Sequence, residues 1–421
     1  MDPVKAGESH EDLVEALVSG RRGLHDLPDD LSAEEMAAVR REAVERLTGA
    51  ELANIGHYSL DAERASSRHC ENFIGITQIP MGVVGPLRVE GATVSGDEEL
   101  WVPLATTEGA LLASVNRGCR AISAAGGAAA RVEDVGMTRA PAFRTSGLRQ
   151  TEDFLTWVRE HETEIRTLAE ADSRYLKLAE IKPQAFGTSV YLRFRFEAGD
   201  AMGMNMATIA CDRIVRELIE PATGVTCVAL SGNYCVDKKP SAINFLEGRG
   251  KRIHAEVVLE ESVLKNTLKT DARSLVDVQY RKNMLGSIAA GALGFNAHFA
   301  NVVAAFFAAC GQDLAQVAEA AMGITCIESR GPEGIYASVY LPDVPLGAIG
   351  GGTALDTQRE ALSMLGIEID SDRPGAAVIR MAEILAATVL AGELSLMAAF
   401  TSRDLARAHA ELARGGVPPE A

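Results

Sequence analysis

The sequence lacks the segments that export or anchor a protein. Its longest uninterrupted apolar run, from Val302 to Cys310, is about half as long as the roughly 20 residues that cross a bilayer. The N-terminus has no basic stretch followed by an apolar one, which a secretory signal would require. We therefore expect a cytoplasmic protein that has no membrane partner.

Paired cysteines are also missing. The seven cysteines are scattered over 421 residues, and no two of them have the spacing of a metal knuckle. Their number is odd and most lie in apolar sequence, which favours reduced, buried thiols. The sequence therefore indicates neither a disulfide framework nor a metal site.

Basic charge is in short supply. Lys and Arg number 41 against 58 Asp and Glu, which leaves a net charge of −17. Nucleic acids and anionic membranes favour proteins with a basic face, so neither is an expected partner. Apolar residues make up 47% and charged residues 24%, as in folded globular chains. At roughly 150 residues per domain, the length allows two or three domains.

Helical and strand patterns alternate along the chain. The spacing predicts helices in the acidic N-terminal arm, and it predicts a helix opening at 106–109 with Glu108 in its first turn. From 141 to 230 the patterns predict a small α+β unit inserted into a larger domain. The sequence after Pro240 reads as mainly helical, with a very apolar helix around 284–310.

Two charged positions are candidates for chemistry. Asp237, Lys238 and Lys239 lie between apolar segments, and a lysine held near a carboxylate stays cationic and can stabilise an oxyanion. A solvated surface loop explains these charges equally well. Asp313 follows a run of apolar residues, and a cap for the next helix is its alternative role.

Two segments rich in small residues could approach a flat ring or a phosphate. One is the glycine turn at 350–353, and the other is the string 200–205 between a strand and a helix N-terminus. A plain turn and methionine core packing are the competing interpretations. Neither segment has the pattern of the phosphate loop or of the G-x-G-x-x-G dinucleotide fingerprint.

Further motifs accompany these candidates in a fixed order. They are 71–75 (ENFIG), 80–87 (PMGVVGPL), 106–109 (TTEG), 116–119 (NRGC), 136–139 (GMTR), 200–205 (DAMGMN), 232–235 (GNYC), 237–240 (DKKP), 311–313 (GQD), 350–353 (GGGT), 391–396 (AGELSL) and His409. Taken together, they resemble the 3-hydroxy-3-methylglutaryl-coenzyme A (HMG-CoA) reductase family over about residues 70–414. A soluble form of the class I type, shared by eukaryotes and archaea, is the expected subtype.

The resemblance implies a four-electron reduction of HMG-CoA to mevalonate and coenzyme A, in the mevalonate pathway of isoprenoid biosynthesis. NADPH is the implied cofactor, and no metal is expected. By resemblance, Lys238 stabilises the oxyanion and Glu108 supplies its proton. Asp313 couples their protonation, and His409 protonates the departing thiolate of coenzyme A.

The resemblance also implies binding residues. Those for the hydroxymethylglutaryl part are Arg139, Ser231, Asp237, Lys239, Lys282, His298 and Asn301. Those for coenzyme A are Ser114, Asn116 and Arg117. Those for NADPH are Ser173, Arg174, Asp200, Met202, Gly203, Met204, Asn205, Ile349, Gly350, Gly351, Gly352, Thr353 and Arg414.

The implied fold is α+β. It has a helical N-terminal part at 1–69, a large domain at 70–140 and 231–421 around a long central helix, and an inserted ferredoxin-like NADP-binding domain at 141–230. The family pattern puts active sites between subunits, with the segment 71–75 at the contact. A homodimer or a dimer of dimers is therefore expected.

Two other functions stay open. One is an NADH-preferring member that works as a mevalonate oxidant, and the other is a non-catalytic module that binds coenzyme A or a nucleotide. The intact set Glu108, Lys238, Asp313 and His409 argues against the second. Arg403 and Asp404 stand where many members have Gly and His, which leaves the positioning of the closing helix open.

Overall fold

The computed structural model describes residues 8–402 of the chain. Its helices are α1 (His10–Val18), α2 (Ala33–Thr48), α3 (Ala62–Arg68), α4 (Leu111–Ala124), α5 (Leu148–Glu160), α6 (Glu162–Glu170), α7 (Met204–Ile214), α8 (Glu220–Thr223), α9 (Ala242–Glu247), α10 (Glu261–Val263), α11 (Ala272–Val278), α12 (Ser287–Ala290), α13 (Phe299–Ala309), α14 (Val317–Ala320), α15 (Asp356–Met364) and α16 (Ala376–Ser402). π-Helical segments follow α7, α10 and α11 at Val215–Ile219, Leu264–Leu268 and Gln279–Gly286.

The strands form two sheets. They are β1 (Met81–Leu87), β2 (Val89–Glu90), β3 (Leu100–Ala105), β4 (Ala128–Arg139), β5 (Ala142–Arg144), β6 (Lys177–Phe186), β7 (Ser189–Glu197), β8 (Thr226–Ala229), β9 (Arg249–Leu259), β10 (Gly294–Phe295), β11 (Gly323–Ser329) and β12 (Ile335–Val344). β1 and β3 form an antiparallel pair of their own. The other strands form a ten-stranded sheet in the order β10-β11-β12-β9-β4-β7-β5-β8, with β2 beside β4 and β6 beside β7.

The helix α16 passes through the centre of the molecule. Every residue from Met381 to Ser395 is buried, as expected for a helix that is apolar on all its faces. It packs against α4, α13 and β9. α16 is long and apolar enough to cross a bilayer, but most of that stretch lies inside the fold, as in the core helix of a soluble protein.

One glycine permits the contact between α4 and α16. A Cβ atom at Gly118 would lie 1.9 Å from the carbonyl oxygen of Ala391, which is far inside van der Waals contact. The two backbones can approach this closely only because Gly118 has no side chain. The packing of the central helix therefore depends on this position.

The strand β4 joins two hydrophobic cores. Its residues 129–136 pair with β9, and its last residues, 137–139, pair with β7. The larger core contains α4, α13, α16 and the strands β9 and β12. The smaller core consists of buried residues between Phe143 and Val225.

The smaller core belongs to a ferredoxin-like unit. Its elements run β5, α5–α6, β6, β7, α7–α8, β8, and its strands are antiparallel in the order β6-β7-β5-β8. This is the β-α-β-β-α-β arrangement of the ferredoxin-like motif. The expected fold class, with its central helix and ferredoxin-like unit, is confirmed. The exact domain boundaries stay a prediction.

Some local predictions are wrong. The strand β9 occupies 249–259, where a mainly helical segment was expected, and its residues Ile253, Ala255, Val257 and Leu259 are buried at alternate positions. This period of two is the signal of a strand with one buried face. The apolar helix expected around 284–310 is interrupted by β10, and α13 begins only at Phe299.

The seven cysteines are all free thiols. Four of them, Cys119, Cys211, Cys235 and Cys310, are buried. Burial raises the pKa of Cys119 and of Cys310 to about 12, so both stay protonated and unreactive at neutral pH.

Candidate active site

Lys238 and Asp313, both candidates from the sequence, meet in the fold. Lys238 lies on the loop between β8 and α9, and its Nζ atom is 2.9 Å from Oδ2 of Asp313. The hydrogen bond to Asp313 raises the pKa of Lys238, so the ammonium stays charged to higher pH. Oδ1 of Asp313 accepts the amide of Ala315 at 3.0 Å. The cap and the functional role proposed for Asp313 are therefore compatible.

Asp237 turns away from Lys238 toward a buried arginine. Its Oδ1 atom accepts hydrogen bonds from Nη2 of Arg249 and from Nε2 of Gln316, each at 3.0 Å. Burial alone would raise the pKa of Asp237, but the charge of Arg249 and these contacts outweigh it and lower the pKa. Nζ of Lys239 donates to the carbonyl oxygen of Asp237 at 3.0 Å.

Arg249 was missed in the sequence. Its side chain is fully buried at the start of β9, where Nη1 also lies 2.7 Å from Oε2 of Glu319. A signal was present, because Arg249 stands between two glycines just before the alternating apolar positions of β9. A charge placed there has to find a buried partner.

The two glycine-containing segments lie against each other. Ala201 and Ile349 form a parallel β-bridge, and the amide of Ala348 donates to the carbonyl of Asp200 at 2.7 Å. The side chain of Gln312 accepts the amide of Gly347 at 2.9 Å and donates to its carbonyl at 3.0 Å. Both segments are thus fixed next to Asp313, which follows Gln312 in the chain.

Contact between the glycine turn and the 311–313 segment requires glycine on both sides. A Cβ atom at Gly311 would lie 2.5 Å from the carbonyl of Gly352, and one at Gly352 would lie 2.8 Å from the carbonyl of Gly311. At Gly350 and Gly351, by contrast, a Cβ atom would meet nothing within 4 Å. The turn therefore packs on one side and is open on the other.

The members of the string 200–205 have different surroundings. Both carboxylate oxygens of Asp200 accept backbone amides, from Gly375 at 2.9 Å and from Val378 at 3.1 Å, so this side chain holds the start of α16. Nη2 of Arg249 lies 2.9 Å from Sδ of Met204. Met202 is half-buried and Asn205 is exposed, on either side of buried Gly203.

Glu108 lies away from these segments, in a cleft of about 500 Å³ that it lines together with His298 and Asn301. It stands in the loop before α4, whose N-cap is Ala110, so its expected place in the first turn of a helix is wrong. Nδ2 of Asn301 donates to Oε2 of Glu108 at 2.7 Å. The amide therefore orients the carboxyl group.

The cleft also contains Phe400. Nζ of Lys282 lies 5.3 Å from the centre of the Phe400 ring, so Lys282 borders the cleft through a cation–π contact. Nε2 of His298 is buried and has no hydrogen-bond partner among residues 8–402. A buried ring nitrogen without a partner is a suitable contact for a polar ligand atom.

Glu393, buried in α16, shapes this cleft. Its carboxylate accepts the amides of Ala297 at 2.8 Å and His298 at 2.7 Å, and the hydroxyl of Thr325 at 2.5 Å. The motif 391–396 contains Glu393, but its role in holding the loop of His298 had no signal in the sequence. The partners lie on segments far away in the chain.

The predicted coenzyme A residues lie on α4. Oγ of Ser114 and Nε of Arg117 each donate to Oγ of Ser395 at 3.0 Å, and Nη2 of Arg117 donates to the carbonyl of Ser395 at 2.6 Å. Oδ1 of Asn116 accepts the amide of Gly85 at 3.0 Å. These side chains are thus fixed by contacts within the chain.

The remaining predicted residues lie in and around the ferredoxin-like unit. Nε of Arg139 donates to Oγ1 of Thr208 on α7 at 3.0 Å, and Oγ of Ser231 is 3.5 Å from Sγ of Cys235. Oγ of Ser173 accepts the amide of Tyr175 at 3.2 Å. The guanidinium of exposed Arg174 lies 4.5 Å from the centre of the Tyr175 ring. His409 and Arg414 lie outside the described residues.

The predicted catalytic residues form two separate hydrogen-bonded groups. One contains Lys238 and Asp313, and the other contains Glu108 and Asn301. Between positions 8 and 402, no hydrogen bond or ion pair joins Glu108 to Lys238 or Asp313. The same part of the chain shows no group of three or more His, Cys, Asp or Glu side chains that could hold a metal ion.

A lysine paired with an aspartate lies beside an open glycine turn and a helix N-terminus. Such an arrangement can stabilise an oxyanion next to an anionic ligand. The model of the hydroxymethylglutaryl-coenzyme A reductase family matches residues 36–414. The HMG-CoA reductase of Pyrococcus abyssi is 47% identical over 408 residues, which are 96% of this chain and 99% of that relative.

Other relatives agree. The HMG-CoA reductase of Aeropyrum pernix is 49% identical over 409 residues, 97% of this chain and 96% of the relative. HMG-CoA reductase 1 of Dictyostelium discoideum is 36% identical over 412 residues, 96% of this chain and 74% of the relative. The chain belongs to the HMG-CoA reductase family and is an oxidoreductase, so the predicted function is confirmed at the level of the family.

A solved structure shows the same fold. The class II HMG-CoA reductase of Streptococcus pneumoniae, bound to NADPH in open conformations, has a TM-score of 0.64 over 93% of this chain and 97% of that chain. The two sequences are only 17% identical. The likeness therefore concerns the fold.

Proposed function

We propose that the chain catalyses the NADPH-dependent reduction of HMG-CoA to mevalonate and free coenzyme A, in the biosynthetic direction. The observation that carries the proposal is the 2.9 Å pair of Lys238 and Asp313, placed against the glycine turn and the string 200–205 in a chain of this family. The reaction consumes two hydrides and two protons for each thioester. It passes through a hemithioacetal and an aldehyde.

Lys238 supplies the fixed positive charge. Each hydride addition leaves a negative charge on the substrate oxygen, and an oriented ammonium stabilises that charge as it develops. Asp313 favours the charged form of Lys238, and its own cap contact with Ala315 fixes its direction. The pair is therefore ready before the substrate binds.

Glu108 is the proposed proton donor to that oxygen. Asn301 holds Oε2 of Glu108 at 2.7 Å, which fixes the orientation of the carboxyl group. His298, Lys282 and Asn301 border the same cleft and are proposed to bind the hydroxymethylglutaryl part. Lys and His side chains offer charge and hydrogen bonds to its terminal carboxylate.

The glycine turn and the string 200–205 fit a dinucleotide. The open side of Gly350 and Gly351, where a Cβ atom would meet nothing, leaves room for close approach of a phosphate or a ring. The N-terminus of α7 at Met204 favours an anion. We propose that these residues, with Ser173 and Arg174, hold NADPH, which supplies hydride when it is bound.

Arg174 is the proposed determinant of NADPH use. Its exposed guanidinium can pair with the extra phosphate of NADPH, which NADH lacks. Purified protein should oxidise NADPH faster than NADH at equal concentrations with HMG-CoA. Equal or better use of NADH would contradict the proposal and favour the alternative of a mevalonate oxidant.

We also propose a homodimer, or a dimer of dimers, with active sites between subunits. Two observations support it. Among residues 8–402, no hydrogen bond or ion pair joins the groups of Glu108 and Lys238. The paired strands β1 and β3 expose Met81 (50%), Val83 (47%) and Trp101 (49%). Phe73, from the segment expected at the contact, is buried against α2 and α3. Light scattering of the purified chain should give at least twice the monomer mass.

The class I subtype, a cytoplasmic location and the division at 141–230 remain part of the proposal. Identities of 47–49% to archaeal reductases against 17% to the class II structure support the class I type. The separate core of the ferredoxin-like unit supports the division. Limited proteolysis should cleave the exposed loop at 231–233 before it cleaves within the unit.

A further inference from the structure

Beneath the Lys238 loop lies a group of buried charges that the reaction above does not use. Arg249, Glu319 and Asp343 are each 0% exposed. Nη1 of Arg249 lies 2.9 and 2.7 Å from the two carboxylate oxygens of Glu319. Removing one partner from such a buried pair leaves an uncompensated charge, so Arg249 and Glu319 depend on one another.

The group is connected to the backbone of Lys238. Glu319 accepts the amide hydrogen of Lys238, while Arg249 holds the side chain of the preceding Asp237 at 3.0 Å. Because Asp237 and Lys238 are neighbours in the chain, the contacts close a ring. It runs from the Lys238 amide through Glu319 and Arg249 to Asp237.

The ring holds an unusual backbone. Lys238 has φ = 61° and Val236 has φ = 50°, in the left-handed region that residues with a Cβ atom rarely occupy. Such residues persist where the surrounding contacts over-determine them. Here the amide that follows Asp237 is fixed by Glu319, so the direction in which the Lys238 side chain leaves the loop is fixed as well.

Asp343 completes the group without competing for Arg249. It lies opposite Arg249 on the neighbouring strand. Burial and then the charge of Glu319 raise the pKa of Asp343 well above its usual range, although Arg249 opposes them. The neutral form of Asp343 is therefore favoured, and Arg249 pairs with Glu319 and Asp237 instead.

We propose that Glu319 is a positioning residue of the reduction, which fixes the Lys238 backbone so that the ammonium meets Asp313 and the reacting oxygen. The inference rests on the reductase function proposed above. Glu319 is buried and acts only through Lys238 and Arg249. If Glu319 served stability alone, it would not need to accept the hydrogen bond of the Lys238 amide.

The test compares Glu319→Ala with Glu319→Gln in the full chain. Loss of the hydrogen-bond acceptor in Glu319→Ala should reduce kcat on the order of 10²-fold. KM for HMG-CoA should change by less than about threefold, because the lost contact acts in the transition state. Glu319→Gln keeps an oxygen for the Lys238 amide and should restore most of kcat. If Glu319→Gln melts at the wild-type temperature but loses as much kcat as Glu319→Ala, the proposal is overturned.

A pH profile separates positioning from stability. Asp313 contacts the Lys238 ammonium, while Asp237 and Arg249 act on it only through their charges. In Glu319→Ala the ammonium should be displaced from Asp313, which should move the alkaline limb of kcat to lower pH. A purely structural role would lower the melting temperature and leave the limb in place. An unchanged limb, or kcat within about twofold of wild type, would contradict the inference.

Asp343→Asn is the matched control. Neither carboxyl oxygen of Asp343 has a hydrogen-bond partner among the described residues, so the substitution removes no contact with Lys238, and kcat and the alkaline limb should match wild type. A loss as large as that of Glu319→Ala would show that the cluster as a whole sets the rate, and would overturn the role of Glu319. Absence of activity in the wild-type chain would instead contradict the proposed function itself.

Discussion

Lys238 is held at both ends. Its ammonium pairs with Asp313 at the surface of the loop, and its backbone amide is bound to buried Glu319. The pair with Asp313 is partly exposed, so its contribution to stability is small. The pair orients Lys238 and keeps it charged, and the stabilisation of an oxyanion requires both.

Replacing Lys238 by Ala removes the fixed positive charge that we propose for both hydride additions. Lys238→Ala should abolish NADPH oxidation with HMG-CoA and also with supplied mevaldehyde. Lys265→Ala is the control, because Lys265 is an exposed lysine paired along its helix with Glu261. A Lys238→Ala enzyme with near-normal turnover on either substrate would refute the assigned role.

Asp313→Asn should change the pH dependence of turnover. Asp313 raises the pKa of Lys238, and activity that needs the ammonium is lost as pH rises through that pKa. Without the carboxylate the pKa falls, so the alkaline limb of kcat should move to lower pH. The control is Asp370→Asn, which removes a surface carboxylate paired with Arg373 and should leave the alkaline limb in place. An unmoved limb in Asp313→Asn would contradict the pairing of Asp313 with Lys238.

His409 carries a narrower prediction. Only the first half of the reaction releases a thiolate, and an imidazole has a suitable pKa to protonate it. His409→Gln should therefore impair HMG-CoA reduction far more than mevaldehyde reduction. Equal losses with both substrates, measured as NADPH oxidation, would overturn the assignment.

At the scale of elements, α16 organises the site. Its buried carboxylates bind distant loops: Glu383 accepts the amides of residues 92–94, and Glu393 accepts those of Ala297 and His298. Ser395 on the same helix binds Ser114 and Arg117 of α4. A shift of α16 would therefore disturb both the Glu108 cleft and the predicted coenzyme A residues.

Gly118→Ala tests this arrangement. The added methyl group would overlap the Ala391 carbonyl, 1.9 Å away, and should lower the free energy of unfolding by about 1–3 kcal/mol or more. Arg120→Ala, on the exposed face of α4, should change it by less than about 0.5 kcal/mol. Denaturant unfolding of both variants makes the comparison, and equal stabilities would contradict the close packing of α4 on α16.

A helix or strand was predictable where a single local sequence pattern determined it. A small α+β unit was expected at 141–230 because strands and helices alternate there in short segments, and the family resemblance implied that it is ferredoxin-like. The strand β9 was missed although polar and apolar residues alternate from Ile253 to Val257, which is the period of a strand with one buried face. Glu108 was misplaced because the loop before α4 continues to Ala110, whose left-handed φ of 71° has no signal in that residue type.

At the scale of the whole molecule, contiguous motifs revealed the family and the pair of Lys238 and Asp313. The ring beneath Lys238 could not be predicted in this way. Glu319 lies 70 positions from Arg249 and 81 from Lys238, and no local pattern connects them. Such contacts are set by the packing of β9, β12 and α14, which only the folded chain shows.

The whole chain is acidic, yet its proposed ligands are polyanions. With a net charge of −17, bulk attraction cannot gather a coenzyme A thioester or NADPH. Affinity must therefore come from local cations such as Lys238, Lys282 and Arg174. Added salt should screen the long-range repulsion between the acidic surface and these ligands more than it weakens the short contacts with these cations.

The most direct test of the central claim is the stoichiometry of the reaction. Purified protein, supplied with HMG-CoA and excess NADPH, should oxidise two NADPH for each coenzyme A thiol released and each mevalonate formed. This outcome requires that the enzyme carry out both hydride additions. Thiol release without NADPH oxidation, or no reaction of the thioester at all, would contradict the account.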